Sequence, residues 1–295
     1  MLNKAIVPAA AVLVFLAASC NSGRKEPLVE KLSLEDTTKY VTFKMDVELP
    51  APVDASSTAI REGIISSLDD QLTRITTYED ERMFPFYEGD HNDTDALLGY
   101  YKDQAFSLLS KEAEEDAQER IGYLMADDEL SEEDFARMIE ETPKWECEYS
   151  FEKIGETPSY VVYFSRNYIY MGGAHGGITG AGALTFDKSD GHLVEHLIDP
   201  SSTVPMQSLL VKGLLGYYSE NGVEMNEEEL LGSLFIEDGI IPLPGWEPYP
   251  EGDSLVFTYQ QYEIASYAEG MPSFQLPVND LLPYLTSEAK AILGL

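Results

Sequence analysis

Basic residues are scarce in this chain. Lys and Arg total 19 against 53 Asp and Glu, a formal charge of −34 over 295 residues. That balance excludes nucleic-acid binding, which relies on cationic side chains to neutralise phosphates. It also disfavours electrostatic adhesion to anionic lipid headgroups. A cationic partner, by contrast, is steered toward such a surface at low salt, and the same charge keeps a protein soluble. Cysteine is nearly absent: with Cys20 and Cys147 alone, Cys20 has no evident disulfide role. The segment Ala5 to Ala17 is an almost unbroken apolar run, too short for a comfortable membrane span of about 20 residues. Apolar content is not lacking. At 44% hydrophobic and 11% aromatic residues, the composition supports a packed core and excludes a disordered chain.

The apolar run follows Lys4 and ends in Ala17-Ala18-Ser19, the small residues of an export-signal cleavage site. Cys20 comes next, and Leu16-Ala17-Ala18-Ser19-Cys20 resembles a lipobox, whose cysteine is lipid-modified and becomes the first mature residue. The strict pattern places Leu where Ala17 stands. The resemblance implies lipidation at Cys20 and a membrane attachment through that anchor, each buried methylene contributing about 0.8 kcal/mol. Residues 1–20 are then the leader and the polar stretch 21–38 a tether. No acidic run follows Cys20 in Asn21-Ser22-Gly23-Arg24-Lys25, which favours a periplasm-facing location in the cell envelope over surface display.

Downstream, the pattern divides into an N-terminal half, 39–188, and a C-terminal half, 189–295. Tyr40 to Leu49 alternates, with Val41, Phe43, Met45, Val47 and Leu49 on one face, as in a half-buried strand. Ile60, Ile64, Ile65, Leu68, Leu72 and Ile75 fall on one helical stripe, with Asp54 or Ser56 as cap. A longer helix starts with Leu97, Tyr101, Ala105 and Leu108 and continues, with a slight turn, through Ala113, Ala117, Ile121 and Leu124. A short exposed helix is expected within 127–141. Alternation returns at Trp145, Cys147, Tyr149 and Phe151, which puts Cys147 on a buried face as a core residue rather than a nucleophile. Tyr160 to Tyr170 reads as a central strand. Ala183 to Asp187 and His192 to Leu197 read as two strands joined by a turn. Met206 to Tyr217 has helical spacing, strands follow at 254–259 and 262–264, and a short helix at 278–284. Strands and helices arrive in groups without a βαβ rhythm. The fold class is α+β, a mainly antiparallel sheet packed against several amphipathic helices.

Three stretches invite chemical readings. His192-Leu193-Val194-Glu195-His196 matches the H-x-x-E-H pattern of inverted zinc peptidases, which needs both histidines on one helical turn. Asp190-Gly191 before it signals a turn, and a strand would hold the two histidines about 13 Å apart; no metal site is expected. Met171-Gly172-Gly173-Ala174-His175-Gly176-Gly177 carries glycines that imply positive φ or close backbone approach. It lacks the phosphate-loop pattern, and His175 reads as a structural or recognition residue, with catalysis as the alternative. Asp90 to Asp95 resembles a calcium loop but has Asp95 and Tyr101 where the EF-hand requires Gly and Glu; an acidic helix cap is the better reading. No cofactor is implied.

Two passages carry a family resemblance. Tyr168 to Gly176, followed by Leu184-Thr185-Phe186-Asp187 and Gly191, and then Tyr262-Glu263-Ile264-Ala265-Ser266-Tyr267-Ala268-Glu269-Gly270, resemble two signatures of a bacterial domain family. It is the uncharacterised family found in the extracellular region of RsiV, the lysozyme-sensing anti-sigma factor. Its N-terminal half also accompanies peptidoglycan deacetylases of the PdaC type. Ser266 stands where the family often has Pro. The resemblance implies an exported envelope module, and within its two motifs Gly172, Gly173, His175, Gly176, Tyr262 and Tyr267 are the candidate ligand-binding positions. It implies as partner a cationic protein such as lysozyme, or peptidoglycan. Sigma-factor signalling and deacetylation are not expected to carry over. The alternatives are a hydrolase built on His175 and a structural partner of another envelope protein.

Overall fold

The computed structural model describes residues 29–73, 87–125, 131–141, 144–172 and 176–295. In chain order the elements are β1 (Val29–Thr37), β2 (Val41–Pro50), α1 (Ala55–Thr73), α2 (Thr94–Tyr100), a π-helical stretch Tyr101–Phe106, and α3 (Ser107–Met125). Then come α4 (Glu132–Glu140), β3 (Trp145–Glu156), β4 (Tyr160–Tyr170), β5 (Ile178–Asp187), α5 (Gln207–Glu220) and α6 (Glu227–Ser233). The chain closes with β6 (Tyr249–Glu251), β7 (Ser254–Thr258), β8 (Ser273–Pro277), α7 (Val278–Leu281) and α8 (Ser287–Leu293). The strands make a five-stranded sheet in the order β1-β2-β3-β4-β5 and a three-stranded sheet in the order β6-β7-β8. Pairs β1/β2, β6/β7 and β7/β8 are antiparallel. The expected α+β class holds.

By contact the described residues divide into two compact units, those within 1–51, 65–149 and 169–177, and those within 52–64, 150–168 and 178–295. In the first, the alternation of β2 places Val41, Phe43, Met45, Val47 and Leu49 inward, all essentially inaccessible. Phe43 packs on Phe106 at 6.4 Å and on Tyr149 at 6.1 Å between ring centroids. Leu97, Tyr101, Ala105, Leu109, Ala113 and Ala117 form the buried stripe of α2, the π stretch and α3. Their strict four-residue spacing drifts around an ordinary α-helix of 3.6 residues per turn. The π stretch, with its wider i→i+5 turn, absorbs part of that drift and buries Leu109 where Leu108 was expected. Cys147 is fully buried, and desolvation pushes its thiol up to about 12, so it is a small core residue and not a nucleophile.

In the second unit the core gathers Met206, just before α5, and Leu210 and Leu214 of α5 with Leu255 and Phe257 of β7 and Phe274 and Leu276 of β8. Phe257 and Phe274 stack at 5.5 Å. Gly213 admits the Phe274 ring beside α5, since a Cβ there would lie 2.2 Å from it. α6 is closed by a reciprocal capping box between Asn226 and Glu229.

Several expectations require correction. Residues 29–37, assigned to the tether, form β1 and bury Leu32 and Leu34 against β2. Residues 192–197 form no strand: single bridges, Phe186 to Leu193 and Ile198 to Leu285, replace a continuous ladder, and side-chain hydrogen bonds hold the rest of that extended segment. The 262–264 strand is a turn, because Glu263 accepts the Gln260 N–H at 2.6 Å and the Gly245 N–H at 2.6 Å, drawing the backbone out of any ladder.

Candidate functional site

The first family signature lies at the end of β4. Gly172 and Gly176 adopt φ of +77° and +78°, as the glycine cluster predicts. Gly173 and His175 lie outside the described residues, as does Cys20. The strand end is fastened from α3. Arg120 Nη2 donates to the Met171 carbonyl at 3.1 Å, and its Nε donates to Asp116 at 3.0 Å. Asp116 in turn accepts the Trp145 indole N–H at 3.2 Å. A Cβ on Gly172 would sit 2.7 Å from the Arg120 guanidinium, the movable end of a long side chain, so it is the positive φ that favours glycine here. Asp116 and Arg120 are spaced i, i+4 on one helix, an ordinary surface pattern, and the spacing alone does not announce their role.

The second signature builds an exposed aromatic pair. Tyr262 has φ +65° and is 52% exposed. A non-glycine residue in that region is uncommon, and such strain gathers at functional positions. Its ring packs on Tyr267 at 5.7 Å, tilted by 36°. The Phe235 N–H donates to the Ile264 carbonyl at 2.8 Å, which brings a third aromatic, 61% exposed, alongside the turn. Beneath, Tyr218 donates to the Glu269 carboxylate and Tyr217 to the Glu269 carbonyl at 3.0 Å. Burial raises the ionisation of both phenols above the usual tyrosine range, so they stay protonated donors.

Sequence reasoning missed the residues that hold this turn. Gln260 makes a two-pronged link to β5, accepting from the Ala181 N–H at 2.9 Å and donating to its carbonyl at 2.8 Å. Gln261 accepts the Thr179 N–H at 2.8 Å. A primary amide has the donor and acceptor geometry of a peptide group, so the two glutamines pair with the outer edge of β5 as a strand would, and blunt it. Gln-Gln carries no special sequence signal.

The H-x-x-E-H histidines part company. His192 lies between Asp190 Oδ1, at 2.5 Å from its Nδ1, and the Glu288 carboxylate of α8. His196 Nδ1 faces Glu247 Oε2 at 3.2 Å. The described residues contain no cluster of His, Cys, Asp or Glu able to hold a metal ion. Hydrogen bonds to Glu288, then to Asp190, raise His192 from its ordinary 6.5 to about 9. Because the folded value exceeds the unfolded one, its stabilisation is complete below pH 6.5 and disappears as pH rises through about 9. Wild type should therefore exceed His192→Asn in urea midpoint at pH 6, and the gap should close by pH 10. An equal gap at both pH values would show that the pair carries no charge-dependent stability.

β6, β7 and β8, with the turn carrying Tyr262 and Tyr267, make one contiguous segment. Residues 248–279 match the model of a family described as a protein of unknown function, DUF3298. Two solved structures are similar to the chain. One is a DUF3298 family protein from Pseudomonas aeruginosa PAO1, with TM-score 0.52 and 12% identity over 90% of this chain and 97% of that one. The other is a DUF3298 family member from Bacteroides fragilis NCTC 9343, with TM-score 0.56 and 15% identity over 90% of this chain and 95% of that one. At these identities the likeness shows a shared fold. No curated protein matches the chain. The second signature, 262–270, falls inside the DUF3298 segment. No described helix is long and apolar enough to cross a membrane.

Proposed function

We propose that this chain is an envelope lipoprotein, tethered through Cys20, whose folded part binds a cationic protein at the aromatic turn of the DUF3298 segment. The observation that carries the reading is Tyr262, exposed and held at positive φ against Tyr267. Tyrosine is enriched among residues that dominate binding energy, because it buries a large ring and keeps a polar tip. Acidic residues adjoin the aromatic positions in sequence, Glu237 and Asp238 after Phe235 and Glu263 and Glu269 beside Tyr262 and Tyr267, and the chain's charge of −34 steers basic partners. The resemblance to the lysozyme-sensing family makes lysozyme the first partner to try.

The test uses the full chain in detergent micelles against several lysozymes and an unrelated basic protein. Binding to a lysozyme should persist at about 0.15 M salt, where the Debye length is about 8 Å. Tyr262→Ala should weaken it by about 2 kcal/mol, some thirtyfold. Binding lost at that salt, or matched by the unrelated protein, would reduce the interaction to charge attraction and end this reading. Acyl-label incorporation that Cys20→Ser abolishes is the expected sign of the anchor.

A further inference from the structure

The loop that follows α6 has an inward and an outward side. Leu234 and Ile241 are buried, and Ile236 packs against the same core. Phe235 and Ile240 are exposed, and so are Glu237, Asp238 and Gly239 between them. The two ends of the loop are fixed. At one, the Phe235 N–H reaches the Ile264 carbonyl of the aromatic turn at 2.8 Å. At the other, Gln207 grips both backbone groups of Ile241, accepting its N–H at 2.9 Å and donating to its carbonyl at 2.8 Å. Tyr259 adds a hydroxyl bond to the Pro242 carbonyl at 2.8 Å. The tip turns through Asp238 and Gly239, at φ +52° and +68°, and the Ile240 N–H closes on the Glu237 carbonyl at 3.0 Å. A non-glycine residue at positive φ is uncommon, and a loop with fixed ends loses little conformational freedom on docking.

The carboxylates around the two segments differ in what they do. Glu263 accepts on both oxygens, from the Gly245 and Gln260 N–H groups. Glu269 also accepts on both, from the Tyr218 and Ser266 hydroxyls. These two hold the turn. Glu237 and Asp238 carry no side-chain hydrogen bond or ion pair among the described residues, so their charge is open to a partner. That charge selects the occupant. An anionic bilayer and a second copy of a chain carrying −34 are both repelled from it. A lysine or arginine suits the loop, because it brings its charge on an apolar stem and is attracted to the face of an aromatic ring. We infer that the 235–240 loop is a second arm of the docking surface, seating a lysine or arginine segment of a basic protein. Glu237 and Asp238 draw that segment in, and Phe235 retains it. This rests on the reading that the aromatic turn docks a basic protein, and it assigns the carboxylates that serve the turn.

The experiment measures association and dissociation rates of the full chain in micelles with lysozymes, from about 0.02 to about 0.3 M salt. Glu237→Gln combined with Asp238→Asn removes both charges, and asparagine also tolerates positive φ. Its association at low salt should slow at least about threefold and depend less on salt, with dissociation almost unchanged. Phe235→Ala should do the reverse, speeding dissociation about fivefold or more. The same charge loss on β3, Glu146→Gln with Glu148→Gln, should leave both rates near wild type. All these side chains are exposed, so each variant should melt like wild type. Loop variants that bind like wild type, while Tyr262→Ala still weakens binding, would overturn the second arm and leave the docking turn standing. Equal slowing by the β3 pair would reduce the effect to net charge and overturn it too. If no lysozyme binds, the docking reading falls and the loop's role falls with it.

Discussion

Replacing Gly191 by valine should lower the unfolding free energy by about 3 kcal/mol, read as a fall in urea midpoint at unchanged slope. Gly191 closes the turn after β5 with φ +87°. A left-handed conformation costs a side-chain-bearing residue roughly 1–2 kcal/mol. A Cβ there would also lie 2.2 Å from the Ser56 carbonyl oxygen and 2.9 Å from the Ala59 Cβ. The nearest obstacle is backbone of α1, which cannot rotate aside, and overpacking of this kind adds about 1–3 kcal/mol. The turn is held on the helix by Ser56 Oγ, which donates to the Lys188 carbonyl at 3.1 Å. A loss below about 1 kcal/mol would mean that the turn does not seat on α1 as described.

Gly191 was legible, since Asp190-Gly191 announces a turn, but its meeting with α1 was not. The same division runs through the molecule. β2 and β3 bury one face each, so period-two alternation revealed them, and α5 was revealed by its helical stripe. β1 buries little beyond Leu32 and Leu34, and nine residues with two buried leucines look like a polar linker. β6 and β8 are short, three and five residues, and gain their meaning from pairing with β7. For the site, positive φ at Gly172 and Gly176 followed from glycine itself. Positive φ at Tyr262 did not, because it is imposed by the Glu263 hydrogen bonds and by Gln260 reaching β5, contacts between distant parts of the chain.

The second large effect is expected at Glu247, which holds the H-x-x-E-H segment in place. Residues 192–198 lack a continuous ladder, yet Leu197 and Ile198 are almost inaccessible. Their N–H groups need acceptors, since a buried unpaired N–H costs about 1–3 kcal/mol. Glu247 Oε1 accepts both, from Leu197 at 2.7 Å and Ile198 at 3.1 Å, leaving Oε2 to His196. Glu247→Ala strands both donors and should cost about 3–4 kcal/mol. Glu247→Gln keeps an acceptor oxygen but loses the charge, so its cost should be near 1 kcal/mol, the difference between charged and neutral bonds being of that order. His196→Ala should change stability by less than about 0.5 kcal/mol, because the ring is exposed and meets Glu247 at the surface. Urea titration of the three variants therefore ranks Ala at 247 far above Gln at 247, with the histidine variant last. A histidine variant as damaging as Glu247→Ala would reverse the argument, making the ring rather than the carboxylate the group that holds the segment.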